Sequence, residues 1–129
     1  MTAFETAGLY VGLQLILTIV LAFNVTLNRQ RTAVSLGIGE DQKLEQATRV
    51  HANQIEHGVP GMAGLIALAL VETSTLLLHG LGIALLIARL LHAQGLMSVP
   101  GRSFGRLVGT LVSWLTLLAM GVLLIIAAL

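Results

Sequence analysis

Apolar residues dominate four stretches of this chain, at about 7–27, 45–71, 76–96 and 103–129. Each has the length a helix needs to cross a hydrocarbon layer of about 30 Å. In the first stretch the strongly polar interruptions are Gln14, Thr18, Asn24 and Thr26. Gln14 and Thr18 stand one turn apart and are expected to face another helix. Asn24-Val-Thr26 has the form of a glycosylation sequon but lies inside or at the edge of a span, beyond a transferase's reach.

From residue 28 to 46 the pattern breaks. Arg29, Arg31, Lys43 and the turn-forming Gly37-Ile-Gly39-Glu-Asp41 mark the one substantial loop, with Glu40 or Asp41 suited to cap the next helix. That second helix, from about residue 41 to 71, exceeds a span, so its first turns should stand in the headgroups. Pro60 should kink it beside Gly58, Gly61 and Gly64, which permit close approach of a neighbour. Glu72-Thr-Ser-Thr75 is a tight second connection, and Gly95 reads as the terminator of the third helix. Ser98-Val-Pro-Gly101 is a turn with Pro100 placed to open the fourth helix, where Gly101, Gly105 and Gly109 mark a contact face. The expectation is an all-α membrane protein, one four-transmembrane-helix bundle over residues 1–129.

The second helix carries its own polar pattern. At about 100° per residue from Glu45, Arg49 falls near 40°, Asn53 near 80° and Glu56 near 20°, while Val50 and Ile55 fall elsewhere. A charged group inside a membrane helix costs about 2.5 to 3.5 kcal/mol on insertion scales, so such a stripe marks a pathway, a partner or a ligand. Polar glue between helices is the plainer alternative.

Composition agrees with the pattern: the 129 residues are 56% hydrophobic and 10% charged, and no cysteine is present. The mean hydropathy is +0.91. This describes an integral membrane protein whose thiol chemistry, if any, uses a thiol brought by a ligand. No basic region or cleavage site precedes the first run, so it reads as a retained span.

The net charge of +1 matters through its placement. Arg29, Arg31, Lys43, Arg49, Arg89, Arg102 and Arg106 all fall at one end of the bundle, which by the positive-inside rule is cytoplasmic, leaving both termini on the far side. Arg49, Asn53, Glu56, Arg89, His92, Arg102 and Arg106 should then meet in one basic layer.

Arg89 and His92 could equally compensate the dipole at the end of the third helix. His79 reads as a packed, hydrogen-bonded histidine. Arg102 and Arg106 at the start of the fourth helix oppose its dipole, so they suit a bound anion or anionic lipid. Glu45 and Arg49 can pair one turn apart, whereas Glu56 is about 10.5 Å beyond Arg49 along the axis. Glu56 must find a partner on another helix, a second copy or a ligand. A zwitterion fits, its ammonium at Glu56 and its carboxylates at the arginines, and the unpaired acid with the glycine faces predicts an oligomer. His51 and His57 do not share a helical face, and no HExxH motif exists, so no metal site is expected. No nucleophile signature, phosphate-cradling loop or nucleic-acid pattern occurs.

Arg49-x-x-x-Asn53-x-x-Glu56 ending at Pro60, Ser35-Leu-Gly-Ile-Gly39, and Ala88-Arg-Leu-Leu-His-Ala-Gln-Gly95 with its downstream arginines resemble the MAPEG family, membrane-associated proteins in eicosanoid and glutathione metabolism. The likeness covers nearly the whole chain and is nearest to the short bacterial-type members, which implies an inner membrane. It implies a homotrimer with glutathione as co-substrate between neighbouring subunits. Arg49, Asn53 and Glu56 would hold its charged ends with help from Arg89, and an arginine opening the fourth helix, Arg106 in preference to Arg102, would activate the thiol.

His57 and His92 stand where animal enzymes have aromatic ligand contacts and are expected among the glutathione-binding residues, while Leu96 replaces a third aromatic. The implied function is a transferase or peroxidase acting on lipophilic electrophiles. The competing readings are a non-catalytic lipid-binding or scaffolding protein of the same fold and a small multidrug transporter subunit. The last needs an acid inside the first span, whereas Glu5 precedes it.

Overall fold

A computed structural model describes all residues from Met1 to Leu129. Four helices make up the chain: α1 (Ala3–Thr32), α2 (Gln42–Leu70), α3 (Thr75–Ser98) and α4 (Phe104–Ala128). Each begins at a side-chain cap. Thr2 and Glu5 form a reciprocal capping box on α1, which gives Glu5 a purely local role. Asp41 rather than Glu40 caps α2, accepting from the Leu44 amide at 2.8 Å, while Glu40 adopts a left-handed φ of 62°. Ser74 and Ser103 cap α3 and α4.

α1 and α3 extend past their apolar stretches, α1 from residue 27 to Thr32 through Arg29, Gln30 and Arg31, which are good helix formers. Three expectations need correction. Gly95 does not terminate α3, which continues to Ser98 because Gly95 is a packing position against the start of α4. Consequently Arg89 and His92 are not in the last turn, and dipole compensation no longer accounts for them. Pro100 does not open α4; Ser103 takes the cap, leaving Arg102 in the connection. Pro60 lies inside α2, which is helical on both sides of it, and its missing N–H leaves the Glu56 carbonyl without its usual intrahelical donor.

α2 and α3 each touch every other helix, whereas α1 and α4 occupy opposite corners and do not meet. Two apolar clusters fill the interior. One holds Tyr10, Leu65, Leu68, Leu78, Leu85 and Met120, towards the end that bears the termini. The other holds Leu21, Val50, Ala93 and Leu96 near the basic end. Between them along α1, α2 and α3, and level with them on α4, lies a buried polar layer of Gln14, Gln54, Arg89 and Ser113. Tyr10 and His79 form the expected histidine contact, edge to face with an oxygen to Nδ1 distance of 2.8 Å. α1, α3 and α4 are long and apolar enough to cross a membrane; α2 is as long but carries the polar stripe.

Candidate functional site

The stripe of α2 faces a cleft of about 200 Å³ lined by Gln42, Glu45, Gln46, Arg49, Asn53, His92, Leu96, Pro100 and Arg106. Arg49 and Asn53 come from α2, His92 from α3, and Arg106 from the first turn of α4. The approach of α3 and α4 that brings His92 and Arg106 together depends on small residues. A Cβ on Gly109 would lie 2.5 Å from the Ala88 carbonyl oxygen and 2.6 Å from the His92 nitrogen. Gly105 sits as tightly against the Leu91 carbonyl, while Gly101 touches nothing, so the expected contact face is two glycines rather than three.

The cations of the cleft make no ion pair, although Glu45 shares its wall. The Arg31–Asp41 bridge at 2.6 Å is the single ion pair of the chain, so the expected Glu45–Arg49 pair is not made. Its residues lie on the exposed side of α2, where solvent competes with an exposed pair. His92 is 2% exposed, yet its Nδ1 makes no hydrogen bond. Such an orphaned buried atom is rare unless a ligand or water completes it.

Arg89 stands behind the cleft. It is 1% exposed and gives Nη2 to Asn53 Oδ1 at 2.7 Å, Nε to Gln54 Oε1 at 3.1 Å and Nη1 to Ser113 Oγ at 3.3 Å. Asn53 Nδ2 in turn donates to Glu56 Oε2 at 3.4 Å. Asn53 thus has its oxygen to the cation and its nitrogen to the acid. Glu56 and His57 do not line the cleft. His57 accepts from Trp114 Nε1 at 3.0 Å, which leaves its own proton on Nδ1 to meet the Asn53 carbonyl at 3.1 Å. Its ring is thereby committed to tying α2 to α4.

Arg102 is not in the cleft. It lines a separate hollow of about 740 Å³ with Gly101, Ser103, Phe104, Arg106, Leu107 and Thr110. Arg106 alone borders both spaces. The predicted layer therefore gathers Arg49, Asn53, His92 and Arg106 around one cleft, with Arg89 and Glu56 reached through Asn53 and Arg102 displaced. Gln54 and Ser113 were not anticipated. Gln54 lies about 180° from Glu45 on the helical wheel, among Ala47, Val50, Gly58 and Gly61, and a lone amide on an apolar face was the available signal.

This four-helix fold with a polar stripe on its second helix is that of a small polytopic membrane protein. The sequence profile of the MAPEG family matches residues 7–126, and the chain belongs to that family. It is therefore a four-helix membrane bundle, α2 included, in a family that contains glutathione transferases and related enzymes. The chain is 30% identical over 89 residues to the inner membrane protein YecN of Escherichia coli strain K12, the match covering 69% of this chain and 68% of the relative. The corresponding protein of Escherichia coli O6:H1 matches equally well. No solved structure matches the chain.

Proposed function

We propose that this protein is a glutathione-dependent membrane transferase or peroxidase that acts on lipophilic electrophiles. The observation that carries this reading is the position of Arg106 between a polar cleft and a larger hollow bordered by Phe104 and Leu107. A tripeptide thiol seated in the cleft and extending past Asn53 would have its carboxylates at Arg49 and Arg106 and its ammonium at Glu56, beyond the cleft wall. Its sulfur would lie near Arg106. A free thiol of pKa about 8.5 is mostly protonated at neutral pH, and a guanidinium beside it favours the thiolate. The sulfur lone pair then attacks the electrophilic carbon, and the leaving group departs with its bonding electrons. With a hydroperoxide, the thiolate attacks oxygen and the alkoxide leaves, taking a proton to become the alcohol; a second glutathione then releases the oxidised disulfide and water.

The residues present suit this ligand. His92 Nδ1 is an orphaned atom at the wall, and Arg49 and Arg106 have no carboxylate of their own. The cleft of about 200 Å³ is smaller than the roughly 300 to 1,000 Å³ usual for ligand sites, which supports its completion by a neighbouring copy in a homotrimer. The lysines and arginines gathered where α1 ends and α2 and α4 begin, with Arg89 deeper in α3, support a cytoplasmic placement of the two basic connections, with the termini opposite. Calorimetric titration of glutathione into the detergent-purified protein, followed by turnover with a chlorodinitrobenzene and with a lipid hydroperoxide, tests the proposal. Binding without turnover or thiolate would favour the non-catalytic lipid-binding or scaffolding reading.

A further inference from the structure

The buried polar layer has a direction. Gln54 Nε2 donates to Gln14 Oε1 at 2.8 Å and to Thr18 Oγ1 at 3.4 Å, so the amide is pinned to α1 by its nitrogen. Its oxygen is thereby turned to Arg89 Nε. Ser113 is set similarly: its hydroxyl donates to the Gly109 carbonyl at 2.7 Å, leaving a lone pair for Arg89 Nη1. With two corners of the planar guanidinium held, the third nitrogen meets Asn53 Oδ1, and the opposite orientation of the Asn53 amide would set N–H against N–H at Arg89 and oxygen against carboxylate at Glu56.

We infer that Gln54 is a positioning residue for the cleft, acting through Arg89 to turn the Asn53 amide nitrogen toward Glu56. This rests on the reading of the cleft as a glutathione site for its chemical consequence, but the orientation of Asn53 does not depend on any ligand. Gln54 is itself 0% exposed and lines neither the cleft nor the larger hollow. A role confined to joining α1 and α2 would leave both Asn53 and ligand preference untouched.

The test compares wild type with Gln54→Met, which fills the space without an acceptor, and Gln54→Glu, which keeps one. In Gln54→Glu the Gln14 amide can turn so that its unpartnered Nε2 donates to the new carboxylate. The side-chain amide resonances of Asn53 are followed by nitrogen-15 NMR in micelles. In parallel, binding of glutathione is compared with that of an analogue whose γ-glutamyl amino group is replaced by hydrogen. Gln54→Met should shift the Asn53 resonances and shrink the preference for glutathione by about tenfold or more, the worth of a charged hydrogen bond, with Gln54→Glu restoring both. A folded Met variant with wild-type resonances and preference overturns the inference, as does a Glu variant that restores neither. Should the Met variant not assemble, Gln54→Asn, one carbon too short to reach Arg89, is read by the same two measures. A wild type that binds no glutathione overturns the proposed function alone, and the Asn53 resonances still decide the role of Gln54.

Discussion

Arg49 and Glu56 are exposed in the subunit and have no ion-pair partner, and Glu56 takes only a long hydrogen bond from Asn53 at 3.4 Å. Arg49→Ala and Glu56→Gln should each weaken glutathione binding by about 1.5 to 3 kcal/mol without lowering the melting temperature; wild-type affinity in both would make the stripe structural. Arg106→Ala should abolish the thiolate absorbance of bound glutathione near neutral pH, whereas Arg102→Ala, outside both the helix and the cleft, should keep it. Loss in the second variant alone would reassign the activating cation. The first loop has its own pH dependence. Hydrogen bonding by Arg31 and by the Leu44 amide holds the Asp41 carboxyl below the usual carboxylate range. A carboxyl depressed in the folded state stabilises that state above its unfolded pKa of about 3.9 and loses the effect as pH falls through the folded value. Protection of the Leu44 amide from exchange should thus hold from neutrality down to about pH 4 and drop below it, with Asp41→Asn much less sensitive. The stripe residues were legible because charge in an apolar helix is conspicuous. Gln54 and Ser113 were not, because a single neutral polar side chain looks like any tolerated interruption until its partner on another helix is known.

At the scale of the helices, the sequence reading and the structure part company mainly at the ends. Apolar runs report where lipid or core begins, whereas a helix ends where a cap competes successfully for its terminal groups, as Ser103 does in place of Pro100. Gly95 shows the same limit: a glycine late in a helix reads as a terminator, but here its missing side chain makes room for Ser103 Oγ and the Arg106 backbone. The α3–α4 contact is the one on which the cleft depends. Gly109→Ala should force the two backbones apart and lower stability by about 1 to 3 kcal/mol, the usual range for overpacking. Glutathione affinity should fall with it, since Arg106 moves with α4. An unchanged melting temperature in detergent would mean that the two helices yield more easily than their separation implies. Gly101→Ala, with nothing near it, is the matched control.

At the scale of the whole molecule, four helices and one basic end were readable from hydropathy and charge placement, but assembly was not, since a surface for lipid and a surface for another copy are both apolar. Native mass spectrometry from mild detergent should report three chains, and a monodisperse monomer that still binds glutathione would contradict the trimer. Arg89 also bears on how the chain reaches the bilayer. It lies nine residues, about 13.5 Å of helix, before the end of α3, too deep for its head to escape easily to the interface. Its acceptors are Gln54 and Asn53 from the preceding helix and Ser113 from the last one synthesised. During synthesis α3 meets the hydrocarbon while its guanidinium has only the acceptors of α2, so insertion of α2 and α3 as a hairpin would spare the cost of a lone charge. A truncated chain ending before Ser113 lacks the last acceptor and should be cleared by proteolysis faster than the full chain, which pulse-chase labelling of the two would measure.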